Sequence, residues 1–219
     1  MEGFYPINLK VKNRKVLIVG GGEVALRKVK NLLSYGAHIL VVSPRVLPEI
    51  ESMAVDGLIK LLQEKYSSEY QKGCCLVIGA TDDREVNERI AQDAQNAGIP
   101  VNIVDIPSLC TFLVPAVLRR GSLSISVSTE GKSPAMSGKI KKGLESSYGE
   151  EFGLLLDYLG GLRKKILQEV DDPGIRRKIF MEMSDPELVK LVQGKDMRRL
   201  EEKCREIINK NQGFTMEDL

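Results

Sequence analysis

Three observations predict an α/β fold for this chain, a doubly wound parallel sheet of Rossmann type followed by a small α/β unit and a C-terminal helical domain. Short apolar runs alternate with amphipathic stretches from Lys15 to about Val104, the pattern that buried parallel strands and crossover helices produce. A triple glycine, Gly20-Gly21-Gly22, separates the first run from the first amphipathic stretch. From Glu150 onward the sequence is highly charged and poor in strand signals, as in helices that bury only one stripe.

Taken in order, the strand candidates are Val16-Leu17-Ile18-Val19, Ile39-Leu40-Val41-Val42, Leu58 to Leu62, Leu76-Val77-Ile78 and Val101-Asn102-Ile103-Val104. Four of them read as strands buried on both faces. Between the first two, Ala25, Leu26, Val29, Leu32 and Leu33 recur at helical spacing, and Gly36 stands where a helix C-terminal glycine is expected. Between the last two, Val86, Ile90 and Ala94 repeat at four-residue steps until Gly98-Ile99-Pro100 ends the helix. A proline-containing loop then leads to an apolar segment, Phe112 to Leu118, and an alternating strand signal, Ser124 to Ser128. The turn Thr129 to Pro134 opens a basic helix carrying Ile140 and Leu144. Breaks at Asp172-Pro173-Gly174 and Asp185-Pro186 predict two or three helices in the tail. The expected division is 1–112, 113–149 and 150–219.

Composition narrows the function classes. With 32 basic and 30 acidic side chains among 219 residues the net charge is +2, which argues against a surface built for nucleic acid. Acidic residues also interrupt the basic tail, as in Arg198-Arg199-Leu200-Glu201-Glu202-Lys203. Cys74, Cys75, Cys110 and Cys204 form no C-x-x-C pair, so they read as reduced thiols of a cytoplasmic protein. No run approaches the roughly 18 apolar residues of a membrane span, and Met1 to Lys15 carries no export signal. A single histidine, His38, and no tryptophan leave little for a metal site, so no metal ligand is assigned.

The sharpest chemical signal is Gly20-Gly21-Gly22-Glu23-Val24-Ala25, because it follows a buried strand and opens an amphipathic helix. Gly20 permits the tight turn, Gly22 lets the backbone approach a pyrophosphate, and Ala25 lets the helix pack on the sheet. The helix N-terminus, through Glu23 and Val24, offers free N–H groups with partial positive charge. A ligand-free glycine turn is the bland alternative. The second strand ends in Ser43-Pro44-Arg45, where this fold usually places an acid on the ribose hydroxyls. Arg45 suits a 2′-phosphate instead, so this position leaves NAD and NADP both open. Gly79-Ala80-Thr81-Asp82-Asp83 follows the fourth run at the same sheet edge. Thr81 and Asp82 are cofactor-cleft candidates, with capping of the next helix by Asp82 or Asp83 as the other reading. Asn102 is a further candidate cofactor contact, or an asparagine satisfied by backbone.

These motifs, with Val101-Asn102-Ile103-Val104-Asp105 and Ser126 to Pro134, stand in the order seen in precorrin-2 dehydrogenases, and the chain also resembles the N-terminal half of multifunctional siroheme synthases. The likeness runs from Tyr5-Pro6 to the tail. It implies a homodimer that binds NAD in the first domain, dimerises through the central unit, and holds precorrin-2 between the domains and the helical tail. It also implies oxidation to sirohydrochlorin, the dinucleotide accepting a hydride while a proton leaves, and associates catalysis with Asp105.

Asp105 has an independent claim: it follows the last strand of the nucleotide domain, on a loop that Pro107 stiffens, where a carboxylate can accept a proton or position a pyrrole N–H. A turn aspartate bonded to its own backbone is the alternative. Ser128 and Thr129, the latter matching a serine of the multifunctional enzymes, keep hydroxyls at the expected substrate mouth. Precorrin-2 is rich in carboxylates, so cations must converge on it, and Arg119, Arg120 and Lys132 are the first candidates. Lys139, Lys141, Lys142, Arg163 to Lys165 and Arg176 to Lys178 follow, each also readable as solvated surface. Two other functions compete: a dehydrogenase that also inserts ferrous iron into sirohydrochlorin, and a non-catalytic NAD-sensing regulatory domain.

Overall fold

The computed structural model describes residues 3–212; the ends of the expected first and last segments, 1–2 and 213–219, lie outside the described residues. The chain divides between Val114 and Pro115 into two compact units.

The first unit runs β1 (Lys15–Val19), α1 (Glu23–Ser34), β2 (His38–Val42), α2 (Pro48–Val55), β3 (Lys60–Leu62), β4 (Leu76–Gly79), α3 (Arg84–Asn96) and β5 (Val101–Ile103). Its strands lie in the order β3-β2-β1-β4-β5, every neighbouring pair parallel. Side chains alternate across a strand, and both faces are apolar here. Val16 and Ile18 of β1 join Ala25, Leu26 and Val29 of α1 and Ile50 of α2 in one core. Leu17 and Val19 point the other way, into a core with Ile90, Ala91 and Ala94 of α3. Full burial of each such Leu or Ile contributes about 1.5–3 kcal/mol.

The chain leaves β1 for β2 and β3 on one side and returns to β4 and β5 on the other, so its direction reverses between β1 and β4. Ligands of open α/β sheets bind at such a switch point, outside the carboxyl ends of the strands. His38 begins β2 at the opposite edge, paired with Lys15.

Two local features depart from the sequence pattern. Helix α2 lacks a strong apolar repeat, and its signal is punctuation: Pro48 in its first turn and Gly57 beyond its end, at φ +71°. That exit turn, with Leu58 N–H bonded to Met53 O at 3.0 Å, leaves Leu58 exposed and shortens β3 to three residues.

In the second unit, β6 (Ala116–Arg120) and β7 (Leu123–Val127) form an antiparallel hairpin, followed by α4 (Pro134–Glu145), which Ser133 caps by accepting from Met136 N–H. Helices α5 (Glu151–Glu169), α6 (Pro173–Glu182), α7 (Pro186–Gln193) and α8 (Met197–Gln212) complete it. Asp172 and Asp185 cap α6 and α7, their carboxylates accepting from Gly174 and Ile175 and from Glu187 respectively, which explains the two Asp-Pro breaks. A third break without proline separates α7 from α8, so among the described residues the tail has four helices where two breaks suggested two or three. There Lys195 adopts φ +58° and Asp196 accepts from Arg199 N–H. Leu155, Leu162, Ile166, Ile179, Leu188 and Leu200 share the core of these helices. Among the described residues no helix is long and apolar enough to cross a membrane.

Candidate active site

The glycine turn is pinned between two strand ends. Gly20 N–H donates to Val42 O at 3.0 Å, and Ala80 N–H donates to Val19 O at 2.7 Å. Gly20 has φ +125°, and a Cβ there would lie 2.1 Å from Ala80 O, so only glycine fits. Gly21 is equally constrained: its Cβ would lie 2.1 Å from Arg45 O, while its own carbonyl accepts from Leu47 N–H at 2.9 Å.

Gly22 is different. A Cβ there meets nothing within 4 Å, its backbone is extended, and α1 starts from it with no side-chain cap. The first N–H groups of a helix have no intrahelical acceptor, and here the space above them is open. Ala25 is fully buried against the sheet. An uncapped helix N-terminus beneath open space, at the switch point of a parallel sheet, fits the pyrophosphate of a dinucleotide. Glu23 is the acidic residue of this turn.

At the end of β2, Ser43 is buried and its hydroxyl donates to Arg45 O at 2.7 Å. Pro44 and Arg45 are exposed. After β4, Thr81 Oγ1 accepts from Asp83 N–H, and Asp83 in turn accepts from Val86 N–H, both at 3.1 Å. Asp83 is therefore the cap of α3, and Asp82 is left exposed on the loop.

Asn87, which no sequence signal singles out, holds that loop from below. Its Nδ2 donates to Thr81 O at 2.8 Å, and its Oδ1 is buried without a partner beneath Gly79. A Cβ on Gly79 would lie 3.1 Å from this oxygen and 2.6 Å from Ile103 Cδ1. An asparagine in an amphipathic helix reads as polar surface until its neighbours are known.

Asp105 follows β5 on an exposed turn at φ +62°, a left-handed conformation that aspartate tolerates better than most residues. The loop behind it is stitched to the sheet. Cys110 Sγ bonds both Ile103 N–H and Ile103 O at 3.2 Å, and Asn102 Nδ2 donates to Phe112 O at 3.1 Å. The amide of Asn102 thus secures this loop. Val104 and Phe112 pack on the same core as α1, which brings Asp105 into the electrostatic reach of Lys28. Burial and Arg27 pull the Lys28 pKa below the usual lysine range, and Cys110 and Asp105 oppose that shift. No sequence signal marks Lys28. Its nearness to Asp105 depends on the loop's return to α1, which local patterns do not encode.

The remaining candidates lie in the second unit. Ser128, Thr129 and Lys132 share the turn before α4, where Lys132 N–H donates to Thr129 O at 2.9 Å. Thr129 Oγ1 accepts from Ser133 N–H and contacts Ser137 Oγ, each at 3.1 Å, so this hydroxyl shapes the turn. Ser128 Oγ accepts from Glu130 N–H, and the Lys132 side chain is exposed. Arg119 Nε donates to Gly121 O. Arg120 is largely committed to its own unit, its Nε donating to Tyr148 O at 3.0 Å and facing Glu150 at 3.3 Å.

Comparison with known proteins agrees with this geometry. The family model described as "Putative NAD(P)-binding" matches residues 7–116, and "Sirohaem biosynthesis protein central" matches residues 120–147. The solved structure titled "SirC, precorrin-2 dehydrogenase" superposes with a TM-score of 0.75 at 29% identity, covering 96% of this chain and 100% of that one. The chain belongs to the precorrin-2 dehydrogenase family. Its first unit is the nicotinamide-dinucleotide-binding domain of that family. Among curated relatives, the siroheme synthase of Methylococcus capsulatus is 39% identical over 170 residues, 78% of this chain and 36% of that protein. The siroheme synthase of Pseudomonas paraeruginosa is 41% identical over 155 residues, 69% of this chain and 33% of that protein. The chain thus spans about a third of the length of the curated relatives it matches.

Proposed function

We propose that this chain oxidises precorrin-2 to sirohydrochlorin with NAD as the acceptor, in a cytoplasmic homodimer. One observation carries the reading: the open cradle of Gly22 and α1 lies at the carboxyl end of β1, and Asp105 at the carboxyl end of β5 in the same parallel sheet, with only β4 between them. When bound, the dinucleotide supplies the hydride acceptor.

The protein's own groups supply binding, orientation and proton handling. Gly20 and Gly22, with the N–H groups of Glu23 and Val24, hold the pyrophosphate. Ser43 to Arg45 border the adenosine ribose, Thr81 and Asp82 border the rest of the cleft, and Asn102 acts through the loop its amide secures. Asp105 is the catalytic residue, its carboxylate taking the proton that leaves the macrocycle as hydride departs. Ser128, Thr129 and Lys132 receive the substrate, with Arg119 and Arg120 contributing positive potential. Residues 113–149 form the dimerisation unit and 150–219 the helical domain.

The test is anaerobic turnover of precorrin-2 with NAD, following NADH and the macrocycle's visible band, for the wild type and Asp105→Ala. NADH formation by the wild type and its loss in the variant are expected. Dinucleotide binding without any oxidation of precorrin-2 would overturn the enzymatic reading in favour of a sensor.

A further inference from the structure

We propose that the adenosine end of the dinucleotide site accepts a ribose 2′-phosphate through Arg45, so that the chain binds NADP as well as NAD. The inference rests on the dinucleotide reading above and concerns which dinucleotides that site takes.

In this fold an acid at the end of the second strand holds the 2′- and 3′-hydroxyls, whereas an arginine there accommodates a 2′-phosphate. Strand β2 ends Val42-Ser43-Pro44-Arg45 and carries no acid. Ser43 does not substitute for one, because it is buried and its hydroxyl is occupied by Arg45 O. The next carboxylates are engaged elsewhere: Glu49 pairs with Lys30 at 2.8 Å, and Glu51 accepts from Gln63 at 2.9 Å. Glu23 stands in the first turn of α1, on the pyrophosphate side of the cradle.

Arg45 itself is exposed and makes no ion pair among the described residues. Its backbone is nevertheless fixed. The Arg45 carbonyl accepts from Ser43 Oγ and lies 2.1 Å from where a Cβ on Gly21 would stand, and Leu47 N–H closes onto Gly21 O. An arginine whose backbone is anchored beside the glycine turn, and whose guanidinium has no ion pair among the described residues, offers a phosphate a charge-assisted, bidentate partner. Bare ribose hydroxyls gain no comparable bond at this position, so a 2′-phosphate adds affinity here and does not abolish it.

Calorimetric titration of the full chain with 5′-AMP and with 2′,5′-ADP isolates this end of the site, because the two differ only in the 2′-phosphate and neither carries nicotinamide. At low ionic strength 2′,5′-ADP is expected to bind about tenfold or more tighter than 5′-AMP. That ratio is expected to fall to about one or below in Arg45→Glu and to shrink as salt screens the pair. NADPH and NADH titrations should show the same reversal of ratio. A wild-type ratio of one or less, or a ratio unchanged in Arg45→Glu, overturns the inference while leaving the 5′-AMP arm to report the adenosine end of the site. If 5′-AMP, 2′,5′-ADP and NADH all fail to bind, the dinucleotide reading itself falls and the inference with it.

Discussion

Three successive glycines do different jobs in this turn, and substituting them one at a time separates folding from binding. Gly20→Ala places a methyl 2.1 Å from Ala80 O and 2.6 Å from Ala80 C, at φ +125°. Neither contact is the flexible end of a side chain, so β1 and β4 must part or the turn must change its dihedrals. Overpacking costs about 1–3 kcal/mol and a glycine-only backbone conformation about 1–3 more, giving roughly 2–4 kcal/mol after partial relaxation. For a chain of this size that is a fall in melting temperature of about 4–16 °C. Gly22→Ala meets no atom within 4 Å, keeps an extended backbone, and loses only the modest advantage of glycine over alanine as an N-cap, a few tenths of a kcal/mol up to about 1. On the proposed placement of the dinucleotide, its methyl instead occupies the space a pyrophosphate needs. Loss of one charge-assisted hydrogen bond, about 1.5–3 kcal/mol, weakens NADH binding about 10- to 150-fold. Thermal melting and NADH titration of both variants decide the matter. A Gly22→Ala protein that binds NADH as the wild type does would refute the placement of the pyrophosphate over α1.

Asp105→Asn should lower turnover about 100-fold or more while NADH affinity stays within a small factor, as kinetics and titration on the same preparation will show. Asp105→Gly should match that loss yet melt no lower than the wild type, because glycine relieves the φ of +62°. Asn87→Ala removes the donor to Thr81 O from a buried site and should cost about 1–3 kcal/mol in denaturant unfolding, with weaker NADH binding as the 80–83 loop loosens. In the helical core, burial pushes the Cys204 thiol up to about 11 and the Tyr158 phenol up to about 12. Both folded values lie above the unfolded ones, so the stability they contribute is complete below about pH 9 and is lost as pH rises through 11 and 12. Alkaline unfolding followed by circular dichroism should therefore begin in that window, and Cys204→Ala should move its onset upward.

The sheet was legible in the sequence because β1, β2 and β4 carry unbroken apolar runs and β5 is broken only by Asn102, and the glycine turn because its spacing is short and local. Helix α2 was harder to see, since Pro48 and Gly57 mark its ends but its apolar residues lack a strong period. Sequence could not reach what depends on distant partners. Gly21 is required by the carbonyl of Arg45, across the strand β2. Asn87 matters through Thr81 and Gly79, and Lys28 through a loop some eighty positions away that folds back on α1. Arg120 is a free cation by sequence alone, whereas in the structure Tyr148 O and Glu150 engage it. The break between α7 and α8 has no sequence marker for a simpler reason: Gly194-Lys195-Asp196 lacks the proline that marks the other two.

The most direct test of the central claim is a single anaerobic turnover, with the NAD-loaded chain in excess over precorrin-2 and both the dinucleotide and the macrocycle followed on one time axis. We predict that NADH appears in step with sirohydrochlorin, one for one, and that Asp105→Ala abolishes both signals. Macrocycle oxidation without NADH, or NAD binding with neither signal, would contradict hydride transfer at the carboxyl edge of this sheet.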